Sequence, residues 1–231
     1  MIYIKRTYLI ALCAVLVAAA TFGIFRYQKE QAAVVSRDIP MGDITIVIDP
    51  GHGGKDAGTV GVDGTEEKEI NLSIALALRD YLAVCGYRTA MTRTDDTELY
   101  PENSDRSRSD LYNRLDFVNS FPNAVLVSIH QNHFEDEREW GTQVWYSANT
   151  PESKAIAAAV LTCVKKYLQP ANTRENKQSD SSYYLLYKAT APSVMVECGF
   201  MSNREENARL QSEEYQTEMA CAIALGLIEE L

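Results

Sequence analysis

Three apolar runs in this chain each deliver a residue able to do chemistry. The run ITIVI at 44–48 leads into Asp49-Pro50-Gly51-His52-Gly53-Gly54, AVLVSI at 124–129 into His130, and SVMV at 193–196 into Glu197. Imidazoles bind divalent cations, and a carboxylate beside a cation-activated water is a suitable general base. Two histidines and a carboxylate from far-apart stretches, each at the carboxyl end of a strand-like run, therefore point to a metal-hydrolase site. Ligand sites in open α/β sheets form at that edge.

His52 stands between glycines, which let the backbone turn sharply and leave the ring unobstructed; a ligand fits that setting better than a structural histidine. Asp49 is either a group that orients the ring or a turn former. His130, paired with His52 at one sheet edge, reads as a second ligand, and nearby His133 as a bystander or rim residue. A catalytic zinc takes three protein ligands and a water. Glu66, Glu67 and Glu69 each qualify as the third, although acids in a first helical turn also simply favour the dipole; spacing does not choose among them. A carboxylate at Glu197 is costly to bury alone, so it is either the general base or half of a buried ion pair with Arg93 or Arg114. Cys198 raises the rival possibility of a thiol nucleophile. Strand alternation, however, sends it to the face opposite Glu197, where it packs.

These residues need a sheet to hold them. Glu67–Val84 reads as a helix, with Ile70, Ile74, Leu78 and Leu82 on one face and Gly86 to end it. Further helices are expected at 109–118, 152–168, 203–210 and 213–231, and strands at 87–92 and 142–147. The polar stretches 93–107 and 171–182 read as loops that wall the site, and 183–189 as a short edge element. Strand and helix alternate, and the first and third strands are nearly all apolar. The expected fold is α/β: a single domain with a mainly parallel twisted sheet and helices on both faces.

Residues 7–25 carry no charge and are flanked by Lys5, Arg6, Arg26 and Lys29. That length suits a transmembrane signal-anchor, with cleavage and secretion as the alternative. The expected organisation is a short tail at 1–6, the anchor at 7–25, a linker at 26–42 and a catalytic domain at 43–231. The net charge of −10 argues against a nucleic-acid partner. It also gives no long-range attraction for an anionic polymer, so recognition of one must be local. The five cysteines form no CxxC pair and read as buried thiols, with no disulfide expected.

The segments IVIDPGHGGKDAG (46–58), EKEINL (67–72), MTR (91–93), LYNRLDFVN (111–119), VSIHQN (127–132) and VECGFMSN (196–203) resemble the zinc-dependent N-acetylmuramoyl-L-alanine amidases of the Amidase_3 family. The resemblance runs through the whole expected domain. It implies one Zn²⁺ held by His52, Glu67 and His130, Glu67 being favoured because Lys68 follows it, with Glu197 as the catalytic carboxylate. The implied substrate is peptidoglycan, cut between N-acetylmuramic acid and L-alanine, at an extracytoplasmic location with the membrane as anchor. Arg93, Arg114 and Asn132 are expected to contact substrate, internal ion pairing being the alternative for the arginines. Gln131 stands where the family usually has alanine, a departure expected to leave the ligands untouched. The single anchor and lack of a wall-binding repeat resemble the family's sporulation members, implied to act on spore cortex in making muramic-δ-lactam. An activating or positioning protein is an expected partner. A peptidoglycan-binding module with weak turnover is the non-enzymatic alternative.

Overall fold

The computed structural model describes residues 44–100 and 109–231. The expected tail at 1–6, anchor at 7–25 and linker at 26–42 lie outside them. No helix among the described residues is long and apolar enough to cross a membrane.

Six strands form one sheet: β1 (Thr45–Pro50), β2 (Arg88–Met91), β3 (Ala124–Asn132), β4 (Gln143–Tyr146), β5 (Lys177–Gln178) and β6 (Ser193–Phe200), in the order β2-β1-β3-β6-β4-β5. All neighbours run parallel except β4, which is antiparallel to β6. The mainly parallel α/β reading therefore holds, with one reversed strand that makes the sheet mixed. β1 is buried along its whole length because both faces are covered, which explains its unbroken apolar run.

The helices are α1 (Glu67–Val84), α2 (Asp110–Asn119), α3 (Glu152–Tyr167), α4 (Tyr184–Lys188), α5 (Arg204–Leu210) and α6 (Glu213–Glu230). On one face Ile46, Ile48, Val127, Val144, Val196 and Cys198 pack against α1, α3 and α6. On the other, Val47 and Leu126 meet Val118 of α2 and Leu185 and Leu186 of α4, with Trp145 and Met195 packed alongside. Each fully buried aliphatic side chain contributes about 1.5–3 kcal/mol. The stripe of Ile70, Ile74, Leu78 and Leu82 docks α1, which fixes Glu67 at its first turn under the sheet edge. Asn203 and Ser212 cap α5 and α6 by accepting backbone N–H bonds.

Two expectations change. The segment at 183–189 is the helix α4, because the buried residues Leu185, Leu186 and Ala189 fit one side of a helical turn better than alternating strand faces. The edge strand is instead β5, two residues inside the polar stretch read as a loop. The four described cysteines are all free; Cys85 is exposed at the end of α1 and not packed on an apolar face.

Candidate metal centre

β1 and β3 run side by side and end together, Pro50 opposite Ile129, which brings the His52 loop to His130. Glu67 enters from below at the start of α1. One donor atom from each of His52, Glu67 and His130 lies within 4.8 Å of the others. His52 Nε2 is 3.3 Å from Glu67 Oε2, and His130 Nδ1 is 2.9 Å from Glu67 Oε1. The rings meet edge to face at 4.9 Å. The site tolerates no extra atoms: a Cβ at Gly51 would stand 2.1 Å from the His130 ring, and one at Gly58, where φ is +69°, 2.6 Å from His52 and 2.7 Å from Glu67 Oε2. His52 itself has φ 62°, an uncommon conformation for a residue with a side chain.

The three acids at the start of α1 separate cleanly. Glu69 is exposed, Glu66 pairs with Lys68 at 3.1 Å, and only Glu67 turns toward the histidines. Thr59 N–H donates to its Oε2 at 2.8 Å; Gln131 N–H and Asn71 Nδ2 donate to its Oε1 at 2.9 and 3.1 Å. The register of β3 against β6 shifts between His130 and Asn132; such an irregularity takes a residue out of the regular ladder, and here the Gln131 N–H points at Glu67. Burial works against the Glu67 carboxylate, but bonds to His130 and His52 outweigh it and hold the group far below its ordinary range. Burial also opposes the His52 imidazolium; Glu67 and then Asp56 reverse this and raise its pKa to about 9. A metal bound here would take the place of that proton, because a ligating imidazole must be neutral.

Asp56 is the group that orients His52: its Oδ2 lies 2.7 Å from Nδ1, leaving Nε2 toward Glu67. The sequence reading missed it and weighed Asp49 for that role. Asp49 is buried elsewhere, accepting bonds from Arg114 Nη1, Thr92 Oγ1 and Ser128 Oγ, each at 2.7 Å. Asp56 lies one helical-turn spacing beyond His52, and that offset was the available signal. Gln131 is not a bystander either. Its side chain donates to Asn71 Oδ1 at 3.1 Å, and Asn71 holds Glu67, so the departure from alanine reaches the ligand shell.

Arg93 and Arg114 are both buried, and their bonds run to the chain itself. Arg93 donates to the carbonyls of Pro50, Gly51 and Lys68 at 2.9 Å and of Asp95 at 3.0 Å. Arg114 donates to Pro50 O at 2.8 Å and His52 O at 2.6 Å, besides pairing with Asp49 and Asp110. Arg114 makes the internal ion pairs, whereas the bonds of Arg93 run to carbonyls, and both guanidiniums grip the loop that carries His52. Neither pairs with Glu197. That residue sits opposite His130 in the β3–β6 ladder and accepts a bond from Asn132 Nδ2. Burial pushes its pKa up, while Trp145, His130 and Lys177 draw it part of the way back. A carboxylate held above its usual range is better matched to proton transfer near neutral pH. Cys198 faces the opposite core, its thiol driven up by burial, which removes it as a nucleophile. His133 is exposed and outside the three-residue cluster. A cleft of about 490 Å³ opens beside His52 and His130, walled by Asp56, Tyr100, Leu111 and Leu185 among others.

A profile of the Amidase_3 family, described as N-acetylmuramoyl-L-alanine amidase, matches residues 46–229. The chain is 32% identical over 194 residues to the germination-specific N-acetylmuramoyl-L-alanine amidase of Bacillus subtilis, covering 82% of this chain and 81% of that protein. It is 25% identical over 229 residues to the amidase AmiA of Escherichia coli, covering 81% and 76%. Among solved structures it is similar to the CwlD amidase of Clostridioides difficile, determined in complex with the GerS lipoprotein: TM-score 0.75, 36% identity, 80% of this chain and 97% of that one. The amidase AmiC2 of Nostoc punctiforme gives a TM-score of 0.70 at 32% identity, with 81% and 97% covered.

Proposed function

The chain belongs to the Amidase_3 family of N-acetylmuramoyl-L-alanine amidases, and on that premise we propose that it cleaves peptidoglycan with one zinc ion held by His52, Glu67 and His130. The observation that carries the metal is the convergence of two imidazoles and one carboxylate, donor atoms within 4.8 Å, from three elements. Two nitrogens and one oxygen suit zinc with a coordination position left for water. The Asp56 bond fixes the tautomer that frees Nε2, and the spaces kept open by Gly51 and Gly58 fit ligand rings held without crowding.

A zinc ion held by His52, Glu67 and His130 would supply a water of pKa about 7 and a Lewis acid for the amide carbonyl. Glu197 accepts the proton from the attacking water as the new C–O bond forms at the lactyl carbonyl. The C–N bond to L-alanine then breaks, and Glu197 returns the proton to the departing amine. Asn132 orients the Glu197 carboxylate for both transfers. Arg93 and Arg114 position the His52 loop.

The biological setting is a further part of the proposal. Likeness to a germination-specific amidase supports a role tied to germination, which we extend to the spore cortex and muramic-δ-lactam formation. A structural relative bound to a lipoprotein supports a lipoprotein partner that positions or activates this chain. The substrate places the domain, which we take to be residues 43–231, outside the cytoplasm, and the uncharged segment at 7–25 would anchor it. The test is digestion of purified peptidoglycan by Glu197→Gln alongside the unaltered protein, with bound zinc measured in both. Retained zinc with cleavage lost by about 10²–10⁴-fold is expected; retained cleavage removes Glu197 from the mechanism.

A further inference from the structure

With Arg93 and Arg114 occupied inside the protein, the site needs another cation to recognise an anionic substrate, because the acidic chain supplies no long-range attraction. The sheet places one in the row next to that of Glu197, on the edge strand β5. In an antiparallel or parallel ladder, directly paired residues project to the same face. His130, Glu197 and Gln143 form one such row across β3, β6 and β4. The next row is Ser128, Met195, Trp145 and Lys177, reaching the edge strand β5. Tyr183 lies against Trp145 with ring centroids 4.6 Å apart, and Lys177 Nζ stands 5.3 Å over the Trp145 ring. Trp145 and Tyr183 are half-buried, whereas Lys177 is exposed.

Chemistry fixes which part of the substrate this row meets. Glu197 hands a proton to the leaving amine, so the peptide half of the substrate departs on the Glu197 side of the donors. The glycan half then faces the cleft beside His52, which neither Glu197 nor Trp145 lines. We infer that Trp145, Tyr183 and Lys177 form a subsite for the stem peptide, with the two rings as an apolar wall and the Lys177 ammonium receiving a peptide carboxylate. This rests on the catalytic reading of Glu197. A lysine on an edge strand also has a plainer use, which is to discourage pairing with other chains; the two roles differ in what they do to substrate.

The experiment compares two soluble muropeptides, one with free stem-peptide carboxylates and one with those carboxylates amidated, using the zinc-loaded protein. For Lys177→Ala we expect KM to rise about three- to tenfold on the free acid with kcat unchanged, the signature of lost uniform binding, and to change less than twofold on the amide. Lys177→Arg restores the free-acid KM. Trp145→Ala raises KM on both substrates. Equal KM for Lys177→Ala and the unaltered protein on the free acid, or equal rises on both substrates, overturns the subsite. Self-association of Lys177→Ala without substrate discrimination overturns it in favour of the edge role. Chelator on the unaltered chain, and Glu197→Gln with Lys177 intact, read the catalytic proposal separately: cleavage that survives both sinks that proposal and the subsite with it, whereas cleavage lost in both with no change of KM in Lys177→Ala sinks the subsite alone.

Discussion

At the scale of single residues, the candidate centre depends on groups beyond its three donors. Asp56 fixes the tautomer and tilt of His52 through its 2.7 Å contact. Asp56→Ala is expected to keep the fold and weaken zinc binding about 10–100-fold, measured by competition with a chromogenic chelator; unchanged affinity would mean that His52 needs no orienting partner. Asp49 and Arg114 form a buried pair under the same loop. Burial raises the Asp49 carboxyl, yet Arg114, Thr92 and Ser128 prevail and lower its pKa from 3.8 to about 2. Its folded value is depressed, so its contribution is fully present above pH 3.8 and is lost as pH falls toward 2. That contribution is about 2 kcal/mol. The Asp49→Asn protein is expected to melt at a lower temperature at pH 5 and to lose less between pH 4 and pH 2 than the unaltered protein; parallel melting curves would count against the pair. The sequence displayed His52, His130 and Glu197 because each follows an apolar run. It hid the role of Asp56 because a loop folds back to place it, and those of Asn71 and Gln131 because they arise where α1 meets β3, which no periodicity records.

The elements do the positioning, and each can fail on its own. α1 carries Glu67 at its first turn and is held by a stripe that includes fully buried Ile74. Ile74→Ala is expected to cost about 2–5 kcal/mol in urea unfolding, with zinc affinity preserved in the folded fraction. The loop between β1 and α1 has no such reserve. At Gly58 a methyl group meets His52 and Glu67 at once, in a left-handed conformation. Gly58→Ala is expected to leave the circular dichroism spectrum intact and reduce zinc binding at least tenfold; full occupancy at stoichiometric zinc would show that the ligands have room to move. α1 was legible from its four spaced aliphatics and its terminating glycine. α4 was not: five residues give a periodic pattern too little length, and tyrosine and leucine suit a strand equally well. β5 was hidden because two polar residues give no apolar alternation to read.

Across the molecule, a mainly parallel sheet sorts its work by face and by edge. One face is sealed by α1, α3 and α6 and holds Cys198; the other is covered by α2 and α4 and carries Glu197, Trp145 and Lys177 toward the site edge. This division was readable in outline from alternating apolar runs and helices, whereas the reversal of β4 was not, since a strand's direction leaves no mark in its own composition. The reversal matters: it puts Gln143 opposite Glu197 and lets Trp145 continue the wall away from the metal donors. The proposed function is metal-dependent cleavage of one amide bond. The most direct measurement is mass spectrometry of peptidoglycan fragments after incubation with the purified protein, with zinc removed by chelator and then restored. The expected result is stem peptide released with a free L-alanine amino group, no release after chelation, and recovery on adding zinc. Release that continues undiminished in the zinc-stripped protein would contradict the assignment of His52, Glu67 and His130 as a catalytic metal centre.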